Sequence, residues 1–266
     1  MPAREISHTV RNVKVRMFTA GEGPPLVFLH GAGGVEGWLP FFDLLAARHT
    51  VMVPEHPGFG TSDNPPWMRN VGDVAMYYLD FLDALGGGKV HLAGNSLGGW
   101  IAAELATRNC AHVATLALLA PAGVRVKGML AGDNFIWSLE EGARNLFHDQ
   151  TYAERFIAAA ATMSEAEADR ALANRFMATR LGWEPRWFNP ALERWLHRIT
   201  VPTLIVWGTE DKLLPARYAE VWQREVPNAK VELIPACGHL LQIEQAVVVA
   251  EKVLAFTNGK HAGGKP

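Results

Sequence analysis

The 266 residues carry a net charge of −2, with 49% hydrophobic and 20% charged positions, the balance of a soluble globular chain that can build a sizeable core as one large domain or one domain with an insertion. That charge gives no electrostatic reason to expect nucleic acid or an anionic membrane as partner, and no apolar run approaches the roughly 20 residues of a spanning helix. Cys110 and Cys237 are the only cysteines and the start, Met1-Pro2-Ala3-Arg4-Glu5, has no apolar leader, so the expected compartment is a reducing cytoplasm without a disulfide framework.

Residues 6–19 alternate and are rich in valine, which predicts two short strands with a turn near Arg11-Asn12. The apolar run Leu26-Val27-Phe28-Leu29 predicts a strand buried on both faces, and it ends in the flexible loop His30-Gly31-Ala32-Gly33-Gly34. A helix over about 38–47, a strand over 50–54, a turn-rich loop at 56–63 and a helix over about 71–85 follow. The next strand runs from Val90 into Ser96, a helix continues to about Arg108, and Val113 to Leu119 is another buried strand. Strands alternating with helices predict an α/β fold with a mostly parallel twisted sheet flanked by helices.

Within that alternation, Gly94-Asn95-Ser96-Leu97-Gly98-Gly99 is a Gly-x-Ser-x-Gly turn, in which a strand reverses into a helix so tightly that the serine stands at the apex. Gly94 and Gly98 leave room where backbones must approach. Leu97 opens the helix, so its N–H has no partner inside it. The strand before and helix after are the context the motif requires, and they mark Ser96 as a nucleophile.

The rhythm breaks after Ala120-Pro121-Ala122-Gly123. No strand pattern appears between about 128 and 198, whereas 140–147, 152–162 and 164–179 read as helical, the last opened by a Ser164-to-Glu167 capping box. Asn189-Pro190 predicts a further helix start, with Trp195 and Leu196 on its apolar side. The expected domains are a core of 1–123 and 199–258, a helical cap of 124–198 and a disordered tail of 259–266. Most aromatic rings of the insert serve its own core; Trp137, Trp183 and Trp187, with Phe135, are the ones expected to roof a site. The α/β rhythm resumes with a strand at 201–208, a helix from Pro215 to Arg224, a strand at 229–234 and a closing helix from Glu244 to Thr257.

A serine hydroxyl needs a base to take its proton, and histidine is suited to that task when an acid fixes its tautomer. Asp211 and His239 both lie just past the ends of predicted parallel strands. So does Ser96, and all such ends fall on one edge of a parallel sheet. The chain order Ser, Asp, His is one of the orders in which this trio recurs.

These features resemble the α/β-hydrolase superfamily, in its capped branch of esterases, C–C bond hydrolases, lactonases, epoxide hydrolases and haloalkane dehalogenases. The resemblance rests on His30-Gly31-Ala32-Gly33-Gly34, Pro57-Gly58-Phe59-Gly60-Thr61-Ser62, the Ser96 turn, Gly208-Thr209-Glu210-Asp211 and Gly238-His239. It implies a Ser96, His239, Asp211 triad, with Asp211 preferred over Glu210 as the acid, and an oxyanion hole from the amides of Leu97 and Ala32, with Gly33 as second choice. Gly33, Trp137, Trp183, Trp187 and Leu240 are the expected substrate-binding residues. His30, His56 and His91 are taken as structural or exposed, Cys237 as a small packing residue, Asp63 as a cap or a partner of the insert, and Glu244 as the acidic start of the last helix. No cofactor and no metal are expected, since no His and carboxylate pair has ligand spacing.

A serine in place of an aspartate speaks against epoxide hydrolases and dehalogenases. Gly-Asn-Ser-Leu-Gly-Gly is close to the Gly-Asn-Ser-Met-Gly-Gly of hydrolases that cut ring-fission products of aromatic catabolism, which carry a Trp after the histidine and a lid arginine for the substrate carboxylate. Here the residue after His239 is Leu240, and Arg175 and Arg180 are read as solvated helix residues. The expected activity is therefore carboxylic-ester or lactone hydrolysis of a small molecule, with C–C hydrolysis as alternative and a triad-retaining ligand receptor behind both. A homodimer is left open.

Overall fold

The computed structural model describes residues 2–259, so the tail expected at 259–266 lies, from Lys260 onward, outside the described residues. Strands β1 (Arg4–Val10) and β2 (Val13–Ala20) form an antiparallel hairpin. Its two-residue turn has positive φ at both Arg11 and Asn12 (50° and 61°), the geometry whose twist matches the flanking strands. Six further strands follow: β3 (Pro25–Leu29), β4 (Thr50–Pro54), β5 (Val90–Asn95), β6 (Val113–Leu119), β7 (Thr203–Gly208) and β8 (Ala229–Ile234). The sheet order is β1-β2-β4-β3-β5-β6-β7-β8. All neighbours from β4 through β8 are parallel, and β2 joins β4 antiparallel. The sequence accounts for this layout: β3, β5, β6 and β7 are continuous apolar runs, and they are buried along nearly their whole length.

Between the strands lie α1 (Pro40–Ala46), α2 (Val71–Ala84) and α3 (Leu97–Arg108). Helix α2 starts in a capping box between Asn70 and Asp73. Helix α3 is buried from Leu97 to Thr107, because its Ala and Gly surface packs between sheet and neighbours. After β6 the chain leaves the sheet and forms α4 (Leu139–Leu146), α5 (Gln150–Ala161), α6 (Glu165–Gly182) and α7 (Leu192–Trp195), with a 3-10 turn at Leu196–Arg198. Ser138 with Glu141, and Ser164 with Glu167, box the starts of α4 and α6. Between 124 and 202 the β-pairing among the described residues is limited to an isolated bridge from Gly123 to Phe188. The chain then returns through β7, α8 (Tyr218–Glu225), β8, the single-turn α9 (Leu241–Glu244) and α10 (Ala246–Thr257).

Three expectations need correction. The helix expected from Asn189-Pro190 starts only at Leu192. The Asn189 side chain instead accepts the Ala191 N–H (2.9 Å), which holds those residues in a turn ahead of α7. Trp195 is half exposed while Leu196 is buried, so only one of the pair faces inward. The helix expected from Pro215 begins at Tyr218 after a turn closed by Tyr218 N–H to Pro215 O (2.8 Å). Finally, Glu244 does not open the closing helix. It ends α9, is buried, and its carboxylate is used elsewhere.

Candidate active site

The carboxyl ends of β3, β5, β7 and β8 deliver four segments to one edge of the sheet. At the end of β5, Ser96 has φ 53° and ψ −114°, a conformation that costs a non-glycine residue about 1–3 kcal/mol. The surroundings enforce it. Ser96 N–H donates to Leu119 O (2.9 Å), and its carbonyl accepts from Trp100 N–H (3.0 Å) and Ala122 N–H (3.1 Å). A Cβ at Gly98 would lie 2.6 Å from the carbonyl oxygen of His30, so only glycine lets the start of α3 lie against the end of β3. Leu97, the first residue of α3, is buried there with an amide that has no acceptor within the helix.

Asp211 and His239 come together behind this turn. Asp211 Oδ1 accepts the N–H groups of Leu213 (2.9 Å) and Leu214 (2.8 Å), which fixes the carboxylate. Its Oδ2 accepts from His239 Nδ1 at 2.7 Å, and both side chains are buried. That bond places the proton on Nδ1 and leaves Nε2 as the basic nitrogen. Nε2 is buried and has no hydrogen-bond partner among the described residues. Glu210 is exposed, and among the described residues its carboxylate accepts the Thr209 hydroxyl (3.3 Å).

The loop bearing His239 is tied to the helical insert. His239 N–H donates to Leu146 O (2.8 Å). The Glu244 carboxylate accepts the Gly238 N–H (2.7 Å) with one oxygen and the Asp149 N–H (2.5 Å) with the other. Gly238 is needed for the fit, since a Cβ there would meet Leu146 O at 2.5 Å and His148 N at 2.9 Å. Gln242 Nε2 donates to Asn95 Oδ1 (3.3 Å), which draws the turn after His239 onto the residue preceding Ser96. The Asn95 amide also donates to Leu119 O (3.1 Å), so both ends of that side chain are engaged by protein.

The loop after β3 completes the edge. Gly34 N–H donates to Gly31 O (3.1 Å), closing a turn with Ala32 and Gly33 in the middle. A Cβ on Gly31 would lie 3.6 Å from Ser96 Cβ. Two stacked imidazoles, 3.7 Å between ring centres, underpin the loop. His30 Nδ1 donates to Gly31 O (2.7 Å) while its Nε2 accepts the His56 N–H (2.9 Å). His56 Nε2 donates to His30 O (2.9 Å) while its Nδ1 accepts from the Tyr78 hydroxyl (2.6 Å). Each ring needs one bare nitrogen for this pattern, so both are neutral. Burial pushes the His30 pKa down to about 4 and the His56 pKa well below its usual value. Glu55, also buried, takes the guanidinium of Arg16 (2.5 Å) and the N–H groups of Thr61 (2.8 Å) and Ser62 (3.0 Å), fixing the neighbouring glycine loop.

The other expected residues have the following surroundings. Asp63 accepts the Lys14 N–H (2.8 Å) on β2 rather than pairing with the insert. Cys237 is fully buried and its thiol is pushed up to about 12, by burial first and then by Glu244 and Asp211. Trp187 is stacked on Phe135 and donates to Asn134 Oδ1 (2.7 Å). With Trp183 it borders a cleft of about 540 Å³ whose walls include Arg125, Asp133 and Tyr218 but none of Ser96, Asp211 and His239. Trp137 stands against Gly132. Leu240 packs on the small cluster of Ala143, Phe147 and Ala153 inside the insert. Asn174, Gln242 and the buried role of Glu244 carry no motif in the sequence. A polar residue three positions after His239 was the only trace of Gln242 in the sequence.

A family model described as the alpha/beta hydrolase fold matches residues 24–246. This chain belongs to the α/β-hydrolase fold family. It is 31% identical over 249 residues to the dihydrolipoyllysine-residue acetyltransferase component of the acetoin cleaving system of Pseudomonas putida, covering 88% of this chain and 63% of that protein. The chain therefore spans less than two thirds of that relative. It is 28% identical over 278 residues to the 2-hydroxy-6-oxo-6-phenylhexa-2,4-dienoate hydrolase of Burkholderia cepacia, with 92% and 91% covered. Among solved structures, a bacterial membrane phospholipase A described as a virulence factor superposes with a TM-score of 0.79 at 29% identity, covering 98% of this chain and 87% of that one. Among the described residues no group of three or more His, Cys, Asp or Glu side chains could hold a metal ion, and no helix is long and apolar enough to cross a membrane.

Proposed function

We propose that this protein is a serine hydrolase that cleaves a carboxylic ester or lactone through an acyl-enzyme. The observation that carries the reading is the buried Asp211–His239 pair, whose Nε2 is left without a partner on the edge where Ser96 is held at the apex of its turn. In the first step His239 Nε2 takes the Ser96 hydroxyl proton as Oγ bonds to the acyl carbon. The carbonyl electrons move onto oxygen, where the amides of Leu97 and Ala32 meet the developing charge; such donors are typically worth about 2.7–4 kcal/mol each. His239 passes that proton to the leaving alcohol as the C–O bond breaks. It then takes a proton from water, whose oxygen attacks the acyl carbon, and returns it to Ser96 Oγ as the acid departs. Asp211 holds the imidazole and stabilises its charged form throughout. In this reading residues 124–198 act as a cap over the site.

C–C bond hydrolysis of ring-fission products is the second reading, favoured by the named activity of the Burkholderia relative. Two observations support the ester instead. Asn95 is engaged by Gln242 and Leu119. Arg175 donates to Phe135 O (3.2 Å) and Arg180 to Asn64 (2.8 Å), so both arginines are occupied at the exterior rather than free to hold a substrate carboxylate. The test is turnover of p-nitrophenyl butyrate and of a 2-hydroxy-6-oxo-dienoate by purified protein beside Ser96→Ala. Fast ester turnover abolished by the substitution is expected. A dienoate turned over far better than the ester would install the second reading, and activity surviving in Ser96→Ala would overturn both. A single burst without turnover would point to a ligand receptor.

A further inference from the structure

Helix α6 buries one polar side chain among apolar ones while leaving two large apolar side chains exposed. Leu172 is 68% exposed and Phe176 55% exposed, whereas Asn174 between them is 4% exposed and Met177 is fully buried. A helix that turns its leucine and phenylalanine to solvent and its asparagine inward has a specific use for the amide. Asn174 Oδ1 accepts the Gly60 N–H at 2.8 Å, and Asn174 Nδ2 donates to Gly33 O at 2.9 Å. Both faces of one planar amide are thereby used, in the one orientation their partners allow. One turn further on, Met177 covers Gly58, where a Cβ would meet its sulfur at 2.6 Å.

The two loops joined by Asn174 differ in how well they are otherwise held. The Gly60 loop is fixed by the buried Glu55 carboxylate through Thr61 and Ser62. The Gly31–Gly34 turn is fixed at its far end, where Arg16 donates to Val35 O (2.7 Å). At its apex Gly33 is exposed and has open space where a side chain would be. Among the described residues its carbonyl is held by the bond from Asn174. In a turn closed by Gly34 N–H to Gly31 O, the amides of Ala32 and Gly33 are left unused by the turn itself, and the orientation of their peptide planes is set by what grips the turn.

We infer that Asn174 is a positioning residue for the oxyanion-binding turn, by which the helical insert sets the aim of the Ala32 and Gly33 amides. The inference rests on the serine hydrolase reading. It makes the insert part of the machinery that stabilises the transition state, in addition to any contact it makes with substrate. Donors held a fraction of an ångström off target lose most of their differential stabilisation, so the effect falls on kcat and on the formation of tetrahedral species rather than on KM.

The experiment compares wild type, Asn174→Ala and Asn174→Asp by steady-state ester kinetics, by the second-order rate of labelling with an alkyl fluorophosphonate, and by thermal denaturation. Aspartate keeps the acceptor for Gly60 N–H but sets an oxygen against Gly33 O, so it isolates the bond to the turn. The expected result is a loss of kcat of roughly 10- to 100-fold with KM within about threefold. The fluorophosphonate rate, which depends on the same amides, falls in parallel. Arg175→Ala, on the exposed side, leaves both unchanged. A wild type that labels while Asn174→Asp labels at the same rate overturns this inference alone, whatever the change in Tm. A wild type that does not label overturns the hydrolase reading and the inference with it.

Discussion

At the scale of single residues, the proposed chemistry depends on hydrogen bonds that admit one protonation pattern. Asp211 receives two backbone N–H groups on one oxygen and His239 on the other. Asp211→Asn would keep the shape but present an amide NH2 either to the backbone donors or to Nδ1–H. The imidazole is then held in the wrong tautomer, and kcat is expected to fall by about 10⁴ with KM little changed, a result read directly from steady-state kinetics. His30 and His56 supply a second case. Both are neutral in the fold, and the His30 pKa is about 4 against 6.5 in an unfolded chain. The unfolded state therefore binds the proton first as pH falls. Their contribution is complete above about pH 6.5 and is lost on descending toward pH 4, on the order of 3 kcal/mol for His30. Urea midpoints measured from pH 8 to 4 should fall across that window, and the His30 ring should remain neutral by NMR at pH 5. A ring already protonated at pH 5 would refute the assignment.

At the scale of elements, the helices nearest the site are joined to it through backbone groups. Glu244 connects the His239 loop to the start of α5 by accepting from Gly238 and Asp149. Removing it in Glu244→Ala leaves the buried Gly238 N–H without its acceptor, at a cost of about 1–3 kcal/mol, and frees the Asp149 N–H at the exposed start of α5. A drop in Tm of several degrees together with reduced kcat is expected from calorimetry and kinetics; an unchanged Tm would show that water replaces the carboxylate. These connections also mark where the sequence stops being legible. Motifs whose meaning is local could be read, because Gly-x-Ser-x-Gly and the Ser164 capping box act within a few residues and the buried strands are largely apolar runs. Asn174 and Glu244 carry no such mark. Asn174 binds partners 141 and 114 positions away, and Glu244 joins Gly238, six residues away, to Asp149, 95 away; on helix propensity alone each is an ordinary polar residue. Composition likewise does not give a ring's direction: Trp183 and Trp187 border a cleft beside Arg186, and Trp187 stacks on Phe135.

At the scale of the whole molecule, a mostly parallel sheet could be expected from alternation and burial, whereas the seating of α4 to α7 and the strand order of the sheet depend on contacts between distant segments. That order has a consequence for how the chain is made. The first six strands, β1 to β6, form an uninterrupted sheet on their own, and β7 joins only after about 80 further residues of helical insert. Synthesis at roughly 5–20 residues per second leaves the growing chain in that state for about 4–16 s. Throughout, the free edge is β6, Val113–Leu119, seven residues without a charge or a proline, which is the kind of edge that pairs with other chains. A fragment ending at residue 123 should therefore aggregate where the full chain stays dispersed in sedimentation, and Ala117→Lys should return the fragment to solution. The newborn protein is at its most vulnerable while its insert is being translated, and production of the intact molecule should depend on chaperone supply during that interval.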